Sequence, residues 1–218
     1  MEGGYASQTG GGMKFELSDI GDYKSLDDLF VIGNASVFSL LLLAIATRIG
    51  GLGGNVLNTY FDMFGLEGIL SNTMLFIILI QVARYLYTTF YTTGGKAWSP
   101  FVFLCFVLAT VSLNDVFFYY GVINVVPPGV NDMVDILRAY SKNTTLNALG
   151  GHLAIISLTV FTAMVMSDMD MLTRILSVAV ILFVFPFVLS IVSKKPPPSP
   201  PPPAVKKDEF VDSRGFSM

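Results

Sequence analysis

The sequence predicts an all-α, polytopic membrane protein with about five transmembrane helices, a flexible N-terminal arm, a short amphipathic helix and a polyproline C-terminal tail. Three observations predict it. Of the 218 residues, 53% are hydrophobic and only 13% charged, with a mean hydropathy of +0.65, whereas soluble domains carry about 25% charged residues. Five runs, at 29–47, 70–90, 98–113, 146–167 and 175–193, are nearly free of charge, and roughly 20 apolar residues cross a bilayer core as a helix. Between them lie turn signals: Gly50-Gly51-Leu52-Gly53-Gly54, Pro127-Pro128-Gly129 and Asp168-Met169-Asp170-Met171.

Taken in order, residues 1–28 are glycine-rich and then acidic, with Glu16, Asp19, Asp22, Asp27 and Asp28 against Lys14 and Lys24. So little apolar surface cannot build a core, which predicts the arm. No basic segment followed by an apolar core opens the chain, so no removable signal is expected. The first span, 29–47, stops at Arg48 and the glycine cluster. Residues 55–68 mix Leu57, Tyr60, Phe61 and Phe64 with only Asp62 and Glu67, too apolar for an exposed loop, and are expected at the interface or packed on the bundle. In the second span, Arg84 precedes Tyr85, Tyr87 and Tyr91, a pattern that predicts an aromatic belt toward which the arginine snorkels. The third span opens with Trp98 and Pro100 and is expected to end at Asn114-Asp115.

After the Pro-Pro-Gly turn, Val130, Met133, Val134, Leu137 and Tyr140 recur at helical spacing, with Asn131, Asp132, Asp135 and Arg138 on other faces. At about a dozen residues, 130–140 is too short to span, so it is expected as a separate amphipathic helix on the membrane surface or docked on a partner through Met133, Leu137 and Tyr140. Spans four and five then form a hairpin around which the chain is expected to be organised. The fifth holds 14 Ile, Leu, Val and Phe residues, a gross insertion drive of about −4 to −8 kcal/mol. Pro186 is expected to kink it without breaking it. The tail, 194–218, runs Lys194-Lys195 into seven prolines and one serine from Pro196 to Pro203. Polyproline II at about 3.1 Å per residue makes this a spacer of roughly 25 Å, which could present Phe210 and Phe216 to a neighbour. Five spans put the termini on opposite sides, and the basic excess near Arg48, Arg138, Lys142 and the tail lysines places the tail in the cytoplasm.

Chemistry-bearing residues are few. His152 is the sole histidine and Cys105 the sole cysteine, so no multi-histidine metal site, paired-cysteine spacing or intramolecular disulfide is encoded. His152 is expected near a helix start, bonded to a neighbour, and Cys105 is expected as a small buried apolar residue. Met164, Met166, Met169 and Met171 suit soft Cu(I) but equally fill apolar packing, the reading adopted here. Arg84 and Asp115 fall at opposite ends of antiparallel spans, which argues against their pairing. No phosphate-cradling loop, nucleophile elbow or paired intramembrane carboxylates occur. The chain is therefore expected to be neither an enzyme nor a holder of cofactor or metal. A net charge of −3 gives no footprint of the basic stripe a nucleic-acid binder needs, so nucleic acid is not expected as a partner.

The layout of a glycine-rich arm, several short spans and a Lys-Lys-flanked Pro-Pro-Pro-Ser-Pro-Pro-Pro-Pro tail resembles membrane-embedded minor capsid proteins of large icosahedral DNA viruses that infect algae. The resemblance implies an integral protein of an internal virion membrane that ties this membrane to the overlying shell. The scarcity of intramembrane charge together with the proline-rich tail points to a structural membrane protein anchoring a larger assembly, expected to touch the lipid bilayer with its spans and other proteins with its tails and amphipathic helix. The alternative is a small transporter or channel subunit.

Overall fold

The structure, a computed structural model, describes residues 17–191 and, at 142–148, the backbone alone. Five α-helices account for most of it: α1 (Leu26–Arg48), α2 (Gly54–Phe90), α3 (Pro100–Phe118), α4 (Asp132–Met166) and α5 (Met171–Leu189). Each contains a stretch long and apolar enough to cross a membrane.

Local sequence explains the helix ends. Asp27 and Asp28 occupy the first turn of α1 and Arg48 its last, each charge complementing the helix dipole. Gly51, Gly53 and Gly54 then take positive φ, so the glycine cluster turns the chain where other residues would be strained. Ser99 caps α3 by accepting the Val102 N–H, with Pro100 next to it. Asn131 caps α4 and Asp170 caps α5 in the same way.

Residues 55–68 form the first limb of α2 and, past Gly65, the start of its second. At 37 residues a straight α2 would be about 55 Å long, well beyond the roughly 30 Å hydrocarbon core. Gly65, at φ 43° and ψ −120°, breaks it. The bend is fastened by Tyr60, whose hydroxyl donates to the Gly68 carbonyl at 3.1 Å and accepts from Asn72 Nδ2 at 2.8 Å. A Cβ on Gly68 would stand 2.7 Å from that hydroxyl, so only glycine admits the approach.

The bundle is organised around α1, which packs against α2, α4 and α5. This corrects the expected hairpin core: α4 and α5 are joined by a short turn, yet each packs mainly on α1 instead of on the other. Helix α3 sits outside, against α2 and α4. The core contains Val31, Ile32, Ala35, Leu40 and Ala44 of α1, Phe76, Ile80 and Ala83 of α2, Phe103 and Val107 of α3, Ile156, Val160 and Ala163 of α4, and Phe185 of α5. Met164 and Met166 are buried in it. Because Arg48 meets both the start of α2 and the last carbonyl of α5, Leu26 and Leu189 lie at opposite ends of the bundle. These are called here the Asp28 end and the Arg48 end.

Other boundaries also move. Span three does not stop at Asn114-Asp115: α3 runs to Phe118 and continues through a turn of π-helix, Tyr119–Ile123. The amphipathic segment 130–140 is no separate helix but the first turns of α4, continuous with span four. Arg138 secures it by donating to the carbonyls of Ile123 and Val126 and pairing with Asp135. Helix α5 ends at Leu189 and continues through Pro186. Of the expected arm, residues 17–28 are packed: Ile20 is fully buried, and Asp28 belongs to α1. Residues 1–16 and the tail 194–218 lie outside the described residues. Cys105, expected to be buried, is exposed on the outer face of α3.

Candidate functional site

Polar chemistry gathers at three places. At the Asp28 end, Arg84 is fully buried, which overturns the expected snorkelling. Its guanidinium pairs with Asp28 at 2.9 Å and donates to Gln81 Oε1 at 2.9 Å, to the Ser25 carbonyl at 3.1 Å and to the Asp22 carbonyl. The chain before α1 is thereby strapped across α2 and onto Trp98, just ahead of α3. Gln81 donates to the Tyr23 carbonyl, Thr88 to the Gly21 carbonyl and Trp98 Nε1 to the Leu17 carbonyl, while Ser18 bonds Asp168 in the turn before α5. A Cβ on Gly21 would meet Trp98 at 2.7 Å and Tyr87 at 2.9 Å. Of the tyrosines read as an aromatic belt, Tyr87 is buried among other rings: it lies within 5.1–5.8 Å of Tyr91, Trp98, Phe103 and Phe106. A cleft of about 350 Å³ opens beside the strap, lined by Asp19, Asp22, Lys24, Thr88 and Thr92.

At the other end Arg48 plays the matching part. It pairs with Asp62 at 2.7 Å, donates to Asn58 Oδ1 at 3.1 Å and to the Leu189 carbonyl at 3.4 Å, and lies over the Phe61 ring. One side chain thus gathers α1, the first limb of α2 and the end of α5. An arginine fork suits this work because its planar donors reach carboxylate and carbonyl at once.

The third place lies within the helices. His152 Nδ1 stands 2.9 and 2.8 Å from the two carboxylate oxygens of Asp115, and its ring stacks on Phe76 at 5.7 Å. Helices α2, α3 and α4 meet at this pair. His152 is bonded to a neighbouring helix, as expected of a bonded histidine, but it sits 20 residues into α4 and not near its start. Arg84 and Asp115 do fall at opposite ends, and each finds a partner at its own depth.

Among the sequence-predicted contact residues, Met133 packs against the core and Leu137 is half-buried. Tyr140 is half-buried too, its hydroxyl 3.7 Å from where a Cβ on Gly151 would stand, and burial raises its pKa above the usual phenol value. Pro196, Pro203, Phe210 and Phe216 lie outside the described residues. Sequence reasoning missed both inter-helix pairs, Asp28 with Arg84 and Asp115 with His152. Equal depth on antiparallel helices was the available signal, but it needed helix boundaries that the charge-free runs misplaced.

No family model, curated protein or solved structure matches the chain. The helices identify an integral, multi-pass membrane protein by length and composition. Its association with the lipid bilayer follows from those helices.

Proposed function

We propose that this is a structural membrane protein that holds a larger assembly to a bilayer, with the five helices as the anchor and the segments before Leu17 and after Ile191 as its contacts. One observation carries the reading: the buried arginines are spent on fastening helix ends and connecting segments to one another, Arg84 through Asp28 and two carbonyls, Arg48 through Asp62, Asn58 and the Leu189 carbonyl. Such cross-ties favour one fixed arrangement, which suits an anchor. In its narrower form, supported by the layout resemblance, the assembly is the shell of a large icosahedral virus and the bilayer its internal membrane. The reading is tested by deleting residues 196–218. The shortened protein is expected to insert and fold normally yet fail to join its complex, and a complex of unchanged composition sinks the proposal.

A second reading, a small transporter or channel subunit, is favoured by the Asp115–His152 pair, because ionisable groups within spans are costly and usually kept for a task. Ion or solute flux through the purified protein in liposomes, abolished by His152→Ala and untouched by the tail deletion, establishes it in place of the anchor.

A further inference from the structure

Buried hydroxyls in the helices of this protein follow one habit. Ser36, Thr73, Thr110 and Thr159 each donate to the carbonyl four residues back, at 2.7, 2.8, 2.8 and 3.0 Å. This is how a membrane helix satisfies a hydroxyl within itself. Ser39 breaks the habit. It is fully buried, yet its Oγ meets no hydrogen-bonding partner among the described residues.

We infer that Ser36 and Ser39 together hold an ordered internal water near the midpoint of α1. The two residues are one turn apart on the same helix face, where side chains at i and i+3 stand about 5–6 Å apart between Cβ atoms. That separation fits one water bridging two oxygens. The donor count fits as well. Ser36 has given its proton to the Ile32 carbonyl, so its oxygen offers lone pairs only, whereas Ser39 has a proton to give. A water accepts from Ser39 and donates to Ser36, and its second proton serves any further acceptor. Depth supplies the driving force: both residues lie at the middle of Leu26–Arg48, where an unmet hydroxyl has no bulk water to turn to and a bridging water replaces the missing bond. Thr47 Oγ1 and Arg48 Nε are likewise buried without partners two turns further on. Arg48 pairs with Asp62, whose side chain is 41% exposed, so the Arg48 end of α1 reaches solvent.

The test uses the full-length protein, serine-labelled with ¹³C and ¹⁵N, in phospholipid nanodiscs. Solid-state NMR reads magnetisation transferred from water to the serine signal that disappears in Ser39→Ala. The expected result is transfer to that signal, its reduction in Ser36→Ala, and a melting temperature roughly 2–4 °C lower in Ser39→Ala. No transfer, or a higher melting temperature once an unmet hydroxyl is removed, overturns the site. Ser36→Ala keeps the test open if Ser39→Ala folds poorly, since unchanged transfer in that variant also overturns it.

Discussion

Helices α1 and α5 are about equally apolar, yet half of the most apolar stretch of α1 is buried inside the bundle and only 17% of that of α5. The difference lies in which residues interrupt the apolar run. In α1 these are Gly33, Asn34, Ala35, Ser36, Ser39 and Ala44, small or polar side chains that admit close neighbours and give them something to bond. In α5, Leu172, Leu176, Val180, Phe183 and Phe187 are exposed on the outside, where hydrocarbon is as good a solvent as a neighbouring helix. Hydropathy therefore reports that a segment enters the membrane. The small and polar exceptions report where in the bundle it stands.

The largest test of this contrast is at the tie between α1 and α2. Arg84→Gln leaves Asp28 buried without its cation, and breaking a buried ion pair in this way costs about 3–5 kcal/mol, read as a lower midpoint of thermal unfolding in detergent. Adding Asp28→Asn should recover part of the loss, because the two sites are coupled. A loss no larger than that from a polar substitution on the outer face of α5 would remove α1 from the centre. Next in size is overpacking. Ala44 is fully buried, so Ala44→Leu is expected to cost about 1–3 kcal/mol, while Val180→Leu, at a position 61% exposed, stays within about 0.5 kcal/mol. Equal effects in the same unfolding assay would erase the distinction between the two helices.

The smallest effect concerns the start of α5. The Asp170 carboxylate accepts from both the amide and the hydroxyl of Thr173, and these bonds hold its pKa below the usual carboxylate value. A depressed folded-state pKa means the cap contributes above the ordinary carboxylate range and is lost as pH falls through the lowered value. Exchange of the Thr173 amide should accordingly quicken on acidification, after correction for intrinsic rates, and Asp170→Asn should abolish that pH dependence. An unchanged response in the variant would assign it to another group.

What could be read beforehand divides along the same line. The number of spans and the glycine turn after Arg48 were legible because they depend on local composition alone. The packing order was not: joining spans four and five by a short turn suggested a paired hairpin, but the small residues of α1 offered each a closer seat. Boundaries failed where charge was taken for an end. Asp28 and Asp115 stay within helices because Arg84 and His152 arrive at the same depth, and no run of neighbouring residues discloses that. Arg138 hid the continuity of α4 in a similar way, since its hold on the Ile123 and Val126 carbonyls turns a segment that looks free to dock elsewhere onto its own chain.

The central place of α1 also has a consequence for how the protein is made. Synthesis delivers this helix before the other four, but α4, one of its main neighbours, is complete only when Met166 emerges, well over a hundred residues later. At ~5–20 residues per second this is a wait of roughly 6–24 s. Through that interval Asn34, Ser36 and Ser39 stand in the bilayer, or at the insertion machinery, without their final cover. The helix that ends most enclosed thus begins most in need of a temporary companion, and α5, which follows the other four with an almost wholly apolar surface, needs none.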